Sequence, residues 1–432
     1  MNVLIVGDAA REHAIVERLA EDSHVYAFLS KKNPGIARRA KKYWLGNPTD
    51  PLQIKNCVAE QKPDVAFVSP DALLAAGVSD VLAAHGVPVA SPLKNAARIE
   101  WDKTFMRRLL LKYNIPGQVR HVVARTDAQI REALQDFKDV VVKPVGLTGG
   151  KGVKISGEHL PTLRDAFSYA QTWMKKDGVV LVEEKLEGEE FTLQAFSDGA
   201  HITVMPPVQD HKRVGIGDTG GNTGGMGSYS TGKNLPFLVS SDLEEATRIL
   251  GATVTALAKE GAPFRGVLYG QFMAVADGVR VIEFNARFGD PEAINVLALL
   301  EDSLSETFAQ MAEGRLRPRR FRTESTVVKY LVPNGYPEHP VKDQPLQVDE
   351  NRLQELGVRG YYASVYENDH TIYCTSSRSM ALLGEGTLEE AQQKAEQGCQ
   401  AVQGPLFHRK DIGTAALIEK RVKHMRALRR RI

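Results

Sequence analysis

Glu283-Phe284-Asn285-Ala286-Arg287-Phe288-Gly289-Asp290-Pro291-Glu292 reads as the end of a β-strand whose polar side chains recur at every second position. Successive side chains of a strand point to opposite faces, so Glu283, Asn285 and Arg287 share one face. The run 266–275 before it predicts a partner strand, able to bring the Gln271 amide beside Glu283. Carboxylate and amide oxygens together suit a hard cation such as Mg²⁺, which also takes phosphate oxygens. Arg287 on the same face can hold a carboxylate or phosphate through paired hydrogen bonds.

Upstream, Lys143-Pro144-Val145-Gly146-Leu147-Thr148-Gly149-Gly150-Lys151-Gly152-Val153 places a glycine-rich loop between two strands. Backbone N–H groups in such a flap can surround phosphate oxygens, and Lys143 and Lys151 supply charge for a polyphosphate. It is not a Walker loop, because no GKS or GKT opens a helix here. Taken alone it reads equally as a tight, solvated turn. The stretch Glu183-Glu184-Lys185-Leu186-Glu187-Gly188-Glu189-Glu190 is acidic and, in isolation, reads as a solvated connector.

Working outward, the first hundred residues predict strands at 3–6, 25–29, 65–68 and 87–90, with helices at 11–20 and 73–85. That alternation implies a parallel sheet, whose ligands bind beyond the carboxyl ends of its strands, here 7–12, 69–71 and 91–92. A helix over 102–113 follows, then strands at 140–143, 153–155, 179–183 and 191–196 around one long helix, 160–175. The polar, glycine-rich stretch 209–229 is too long for an ordinary turn, and such loops are usually functional. Beyond it the pattern predicts a helix at 242–260, strands at 266–275 and 279–284, and two helices within 291–313. After a basic connector, 315–322, come strands near 326–331, 360–367 and 371–375 and helices at 387–400 and 414–430.

The 432 residues suggest two to four domains. A formal net charge of +2 removes the electrostatic argument for a nucleic-acid binder. No apolar run approaches the ~20 residues that span a bilayer, and 2–6 is too short for a secretion signal. Cys57, Cys374 and Cys399 form no CxxC, which disfavours disulfides and structural zinc and favours a reducing cytoplasm. His13 and His211 read as local hydrogen-bonding residues, the basic run 421–431 as the solvated face of the last helix, and Asp411 as a cap for the helix near Thr414.

Together, Lys143 with its glycine loop, Glu183, Leu186, Glu190, Gln271, Glu283 and Asn285 resemble the ATP-grasp fold. Within it, Gln209-Asp210-His211-Lys212-Arg213, Gly217-Asp218 and Asn222-Thr223-Gly224-Gly225-Met226-Gly227 resemble the glycinamide ribonucleotide synthetase family. So do Arg11-Glu12-His13-Ala14, the stretch 283–292, and Arg409-Lys410-Asp411-Ile412-Gly413, so the likeness spans nearly the whole chain. Departures are Gly7-Asp8-Ala9-Ala10-Arg11, where the family has Asn-Gly-Gly before the arginine, Glu100-Trp101-Asp102-Lys103 for Glu-Gly-Ser-Lys, and Gly221 for proline.

The resemblance implies a multidomain fold mixing α/β and α+β parts. An N-terminal parallel α/β substrate domain would cover 1–102, an ATP-grasp domain 103–322 with a mobile subdomain at about 120–190, and a small α+β domain 323–432. It implies a cytoplasmic ligase joining glycine to 5-phosphoribosylamine through glycyl phosphate, with ATP as substrate and one or two Mg²⁺ or Mn²⁺ ions. Neither nucleic acid nor membrane would be a partner, and monomer and homodimer both stay open. Lys103 and Lys143 would contact the nucleotide phosphates beneath a flap holding Gly146, Gly149, Gly150, Lys151 and Gly152. Glu183 and Leu186 would present backbone to adenine, Glu190 would take the ribose hydroxyls, and Gln271, Glu283 and Asn285 would hold metal. Asp210, Lys212, Arg287 and Asp290 would be catalytic, the last two orienting glycine and the acyl phosphate. Gly7, Arg11, Glu12, Asp71 and Arg378 would serve the phosphoribosylamine side, and Asn222, Thr223, Gly224, Gly225 and Met226 the loop closing the substrate site. Other readings are a formate-dependent or carboxylating ATP-grasp relative, not expected to carry the 209–227 motifs, a non-catalytic binding protein, or a dinucleotide oxidoreductase. The last is opposed by the missing GxGxxG spacing in 7–12.

Overall fold

In the computed structural model, which describes residues 1–146 and 152–431, the first hundred residues form a four-stranded parallel sheet with its helices. Its strands are β1 (Asn2–Val6), β2 (His24–Leu29), β3 (Lys42–Leu45) and β4 (Val65–Val68), in spatial order β3-β2-β1-β4. Both faces are covered by α1 (Ala10–Leu19), α2 (Pro34–Arg39), α3 (Pro51–Gln61), α4 (Asp71–Ala76), α5 (Val78–Ala84) and α6 (Lys94–Trp101), so β1 and β4 are continuous buried apolar runs. The order reverses at β1, which opens a crevice between the carboxyl ends of β1 and β4. The loop entering α1 keeps Ala9 at a negative φ of −98°, and Glu12 Oε2 accepts the Ala9 N–H at 2.7 Å, so the alanines of this departure fit without strain.

Two expectations need correction here. The single helix expected over 73–85 is broken, because Gly77 adopts φ +87° and ends α4. The expected strand 87–90 is one bridge, Ala66 to Val89, since Pro88 and Pro92 supply no N–H to extend a ladder. Strand β3 escaped the pattern because it is a half-exposed edge strand without an apolar run.

After α7 (Lys103–Lys112), β5 (His121–Ala124), α8 (Asp127–Phe137), β6 (Val140–Lys143), β7 (Lys154–Ile155), α9 (Leu163–Asp177) and β8 (Val180–Glu184) form a small antiparallel layer. It has its own core of Ala124, Ile130, Leu134, Val142, Ala166 and Val182. There are two helices here, not one. Thr126 caps α8, and the Thr162–Asp165 capping box starts α9 after the expected residue 160.

A second antiparallel sheet, built from β9 (Glu189–Asp198) and β10 (Ile202–Val204), is completed further along the chain. The stretch 209–229 is not one open loop: it holds β11 (Gln209–Asp210), the hairpin β12 (Arg213–Gly215) and β13 (Thr219–Asn222), and β14 (Gly227–Ser230). Past α10 (Ser240–Lys259), β15 (Arg265–Val275) and β16 (Gly278–Asn285) join that second sheet, in order β10-β9-β15-β16. Gln271 lies opposite Glu283 across the β15–β16 pair, as the alternation required.

Helices α11 (Glu292–Leu299) and α12 (Leu304–Glu313) lead to β17 (Ser325–Pro333), β18 (Pro345–Val348), α13 (Glu350–Glu355) and β19 (Arg359–Tyr362). Then follow β20 (Val365–Asn368), β21 (Thr371–Cys374), β22 (Met380–Gly386), α14 (Leu388–Gln400), β23 (Val402–Gln403), β24 (Leu406–Phe407) and α15 (Ala415–Arg429). The strand expected at 360–367 is therefore two, belonging to different sheets. Strand β14 pairs with β17, stitching the 209–229 stretch into the C-terminal sheet β11-β14-β17-β22-β19.

That seam is tight. Gly227 has φ +146°, and a Cβ there would stand 2.2 Å from the Val328 carbonyl oxygen. Gly227→Ala should lower the unfolding free energy by about 2 kcal/mol or more, read by denaturant titration. A loss below ~0.5 kcal/mol, the range of an innocuous surface change, would contradict this account of the seam.

Candidate active site

A cleft of about 560 Å³ opens between the crevice of the first sheet, the small layer, the β9–β15–β16 face and the C-terminal sheet. One wall is cationic. Lys143, at the end of β6, places Nζ 2.6 Å from Glu183 Oε2, and Arg107 Nε donates to Glu183 Oε1 at 2.6 Å. Burial pushes the Glu183 carboxyl up, but Arg107 and Lys143 outweigh it and hold the group down at about 2. Lys103, the first residue of α7, donates to the Gly146 carbonyl at 3.1 Å, and burial pulls its ammonium down.

Facing it are the oxygens of β9, β15 and β16. Gln271 Nε2 donates to Glu190 Oε2 at 2.5 Å, and Lys212 Nζ donates to Gln271 Oε1 at 2.5 Å. Burial raises the Glu283 carboxyl, yet Lys212, Lys103, Lys143 and Arg287 together bring it below its ordinary value. Among the described residues no three His, Cys, Asp or Glu gather as a metal cluster. One carboxylate with two amides, Gln271, Glu283 and Asn285, is nevertheless an oxygen set that fits a hard divalent cation sharing phosphate ligands.

The far end carries Arg287 and Asp290. Arg287 Nη2 lies 3.1 Å from Glu100 Oε1, while Glu100 Oε2 accepts the Ala286 N–H at 2.7 Å. Burial opposes the Arg287 charge, but Glu100 and Asp71 more than restore it. Arg378 reaches in from the C-terminal region: Nη1 donates to the carbonyls of Gly224 (2.7 Å), Gly225 (3.1 Å) and Asp290 (2.8 Å), and Nη2 lies 3.1 Å from Asp290 Oδ2. Tyr330 O–H donates to the other Asp290 oxygen, and the Arg378 guanidinium sits 4.3 Å from the Tyr330 ring centre. Asp210 is pushed well up, first by burial and then by Glu292, which itself accepts from Tyr269 O–H at 2.8 Å.

The cleft therefore gathers Lys103, Lys143 and Glu190 with Gln271, Glu283 and Asn285. It adds Asp210, Lys212, Arg287 and Asp290, and also Arg11, Asp71, Asn222, Thr223, Gly224 and Arg378. Other expected residues stand outside its lining. Glu12 is wholly buried as a cap for α1 and a partner of Arg11, beside Gly7. Glu183 sits behind Lys143, Leu186 is half-buried beyond the rim, and Gly146 lines a neighbouring pocket of about 450 Å³. The Gly152 carbonyl accepts from Tyr169 O–H, and Gly225 and Met226 are buried backing, a Cβ on Gly225 falling 2.7 Å from Asp210 Oδ1. Gly149, Gly150 and Lys151 lie outside the described residues.

Sequence reasoning missed several lining groups: Glu100, Tyr269, Glu292 and, in the last helix, Arg421. The run 421–431 is not simply a solvated face, because Arg421 and Arg429 pair with Asp218 and Asp242. Asp411 does not cap α15, a task left to Thr414; it chelates Arg409 instead. His13 and His211 are buried and held at about 3, mainly by desolvation, and His13 Nδ1 accepts the Tyr362 N–H.

Residues 1–100, 101–293 and 326–415 match, in turn, the N domain, the ATP-grasp (A) domain and the C domain of phosphoribosylglycinamide synthetase. The chain is 48% identical to a phosphoribosylamine–glycine ligase of Methanothermobacter thermautotrophicus over 436 residues, covering 99% of this chain and 100% of that protein. It is 46% identical to the protein of that name from Pyrococcus furiosus over 433 residues, with 99% and 98% coverage. Among solved structures, phosphoribosylamine–glycine ligase from Thermotoga maritima superposes with a TM-score of 0.81 at 27% identity, over 95% of this chain and 100% of that one. Biotin carboxylase from Campylobacter jejuni shares the fold, with a TM-score of 0.71 at 13% identity over 98% and 95%.

The Glu183 trio carries a pH signature. Its depressed carboxyl contributes stability that is fully present above the ordinary value of 4.5 and is lost as pH falls toward about 2. The contribution is ~3 kcal/mol. Unfolding free energies between pH 5 and 2 should fall less steeply in Glu183→Gln than in the wild type. Equal slopes would contradict the pairing.

Proposed function

The chain belongs to the phosphoribosylglycinamide synthetase family, and on that premise we propose how its cleft divides the work. The protein is an ATP-dependent ligase of purine biosynthesis that joins glycine to 5-phosphoribosylamine, giving glycinamide ribonucleotide, ADP and phosphate. A carboxylate is a poor acyl donor, because its leaving group would be oxide. In our reading a glycine carboxylate oxygen attacks the γ-phosphorus of ATP, releasing ADP and forming glycyl phosphate. The phosphoribosylamine nitrogen then attacks the acyl carbon, phosphate departs, and the nitrogen loses a proton.

The observation that carries this reading is the meeting, in one cleft, of the Lys103–Lys143 wall with Arg287, Asp290 and the 222–225 turn. Lys103 and Lys143 neutralise phosphate oxygens, and Glu190 takes the ribose hydroxyls, its carboxylate already aimed by Gln271. Such catalysis is mainly positioning and charge neutralisation. When bound, Mg²⁺ or Mn²⁺, one ion or two, would be held by Gln271, Glu283 and Asn285 and would act as a Lewis acid toward the phosphate oxygens. Arg287, pinned by Glu100, holds the glycine carboxylate, and Arg378 fixes Asp290 and the loop carbonyls around it. Arg11 and Asp71, at the carboxyl ends of the first sheet, face the phosphoribosylamine side. The division at 102/103 and 322/323 belongs to this proposal. The cysteines at 57, 374 and 399 are free and buried, which suits the cytoplasm, where we place the enzyme.

The proposal is tested by ADP release with glycine and phosphoribosylamine omitted in turn. Glu283→Gln should fold and bind nucleotide yet lose turnover by ~100-fold or more; wild-type turnover would remove Glu283 from the metal set. Acid specificity gives a second test. Gly224 lies against Arg378, with a hypothetical Cβ 3.3 Å from Cζ, so the turn presents backbone held by hydrogen bonds and has little room to yield. The value of kcat/KM for alanine should fall ~100-fold or more below that for glycine. Comparable values would remove the turn from the specificity argument, and activity with formate alone would overturn the choice of substrate.

A further inference from the structure

The last helix passes the cleft in its first half, and Arg421 is the residue it presents there. Arg421 Nη1 lies 3.1 Å from Glu189 Oε2, and Nη2 donates to Asp218 Oδ2. The side chain is 17% exposed, and its Nε is buried without a partner, so these two carboxylates are what hold the guanidinium.

The two carboxylates belong to separate elements that both line the cleft. Glu189 opens β9 immediately before Glu190, and the alternation of the strand turns their side chains apart. Glu190 faces Gln271 in the cleft, while Glu189 faces α15, where it also accepts from His424 Nδ1 at 2.6 Å. Asp218 lies at the tip of the β12–β13 hairpin, whose far end carries Asn222. That hairpin is gripped by the C-terminal segment: Arg409 Nη1 donates to Asp218 Oδ1 at 2.9 Å and to the Arg213 carbonyl at 3.0 Å, and Asp411 accepts the Gly217 N–H at 2.9 Å.

We propose that Arg421 is a positioning residue that couples nucleotide seating at Glu190 to the substrate hairpin, by bridging Glu189 and Asp218. The proposal rests on the roles given above to Glu190 and the 222–225 turn. A planar guanidinium with an amino group on each carboxylate fixes both their separation and their relative orientation. A displacement of the start of β9 therefore reaches the hairpin directly. A lysine keeps the charge but is a single point that cannot hold this geometry.

Calorimetric titration of glycine, with and without a β,γ-imido analogue of ATP, tests the coupling. In the wild type the analogue should tighten glycine binding by about fivefold or more, the lower range of allosteric coupling. In Arg421→Lys that factor should fall close to one, while the analogue's own affinity changes by less than ~threefold. A loss of packing alone would not produce this pattern. Asp218→Asn, which weakens the same bridge at its other end, should behave alike and serves if Arg421→Lys does not fold. An undiminished factor in both variants, or no linkage in a wild type that binds both ligands, would overturn the coupling alone. A wild type that binds neither glycine nor the analogue would overturn the functional reading beneath it.

Discussion

One guanidinium, that of Arg378, joins three parts of the molecule that the chain keeps far apart. It comes from the C-terminal region, donates to the carbonyls of Gly224, Gly225 and Asp290, and rests on the Tyr330 ring. Burial opposes its charge, but Asp290 and the surrounding tyrosines more than restore it. A buried ion of this kind adds little net stability, since desolvation offsets the attraction; what it supplies is a single arrangement. The backbone of 224–225 and the turn after β16 acquire one geometry, and that end of the cleft takes its shape from it.

The rest of the cleft follows from charge kept out of water. Burial works against the Lys212 ammonium, yet Glu190, Glu283 and Asp210 around it keep it firmly charged. Lys103 is the contrasting case, because burial and the nearby Lys143 leave it depressed. A phosphate group lying against Lys103 and Lys143 would offset their mutual repulsion and favour the Lys103 charge. Asp210 shows the opposite balance, because burial and Glu292 raise its carboxyl more than the nearby Lys212 and Arg378 lower it.

What was legible in the sequence was local or periodic. The alternation of Glu283, Asn285 and Arg287, and the placing of Gln271 opposite Glu283, needed only the two-residue repeat and an adjacent strand. The parallel first sheet was readable because its strands are buried on both faces. What stayed hidden depended on distant partners. Glu183 looked like a solvated acid until Arg107, on a separate helix, was seen to grip it. The 209–229 stretch reads as an open loop because its strands are only two to four residues long and β14 finds its second partner in the distant β17. Arg421 sat in a basic run that resembles any solvated helix end, and nothing nearby in sequence marks Glu189 or Asp218 as its acceptors.

The central claim is chemical: the cleft activates the carboxylate of glycine by phosphorylation. The most direct measurement supplies glycine labelled with ¹⁸O in both carboxylate oxygens, with ATP and phosphoribosylamine, and follows the label by mass spectrometry. The account predicts that one ¹⁸O per turnover appears in inorganic phosphate and the other remains in the amide of glycinamide ribonucleotide. Product formed with no ¹⁸O in the phosphate would contradict it, because the carboxylate oxygen would then have left without having been phosphorylated.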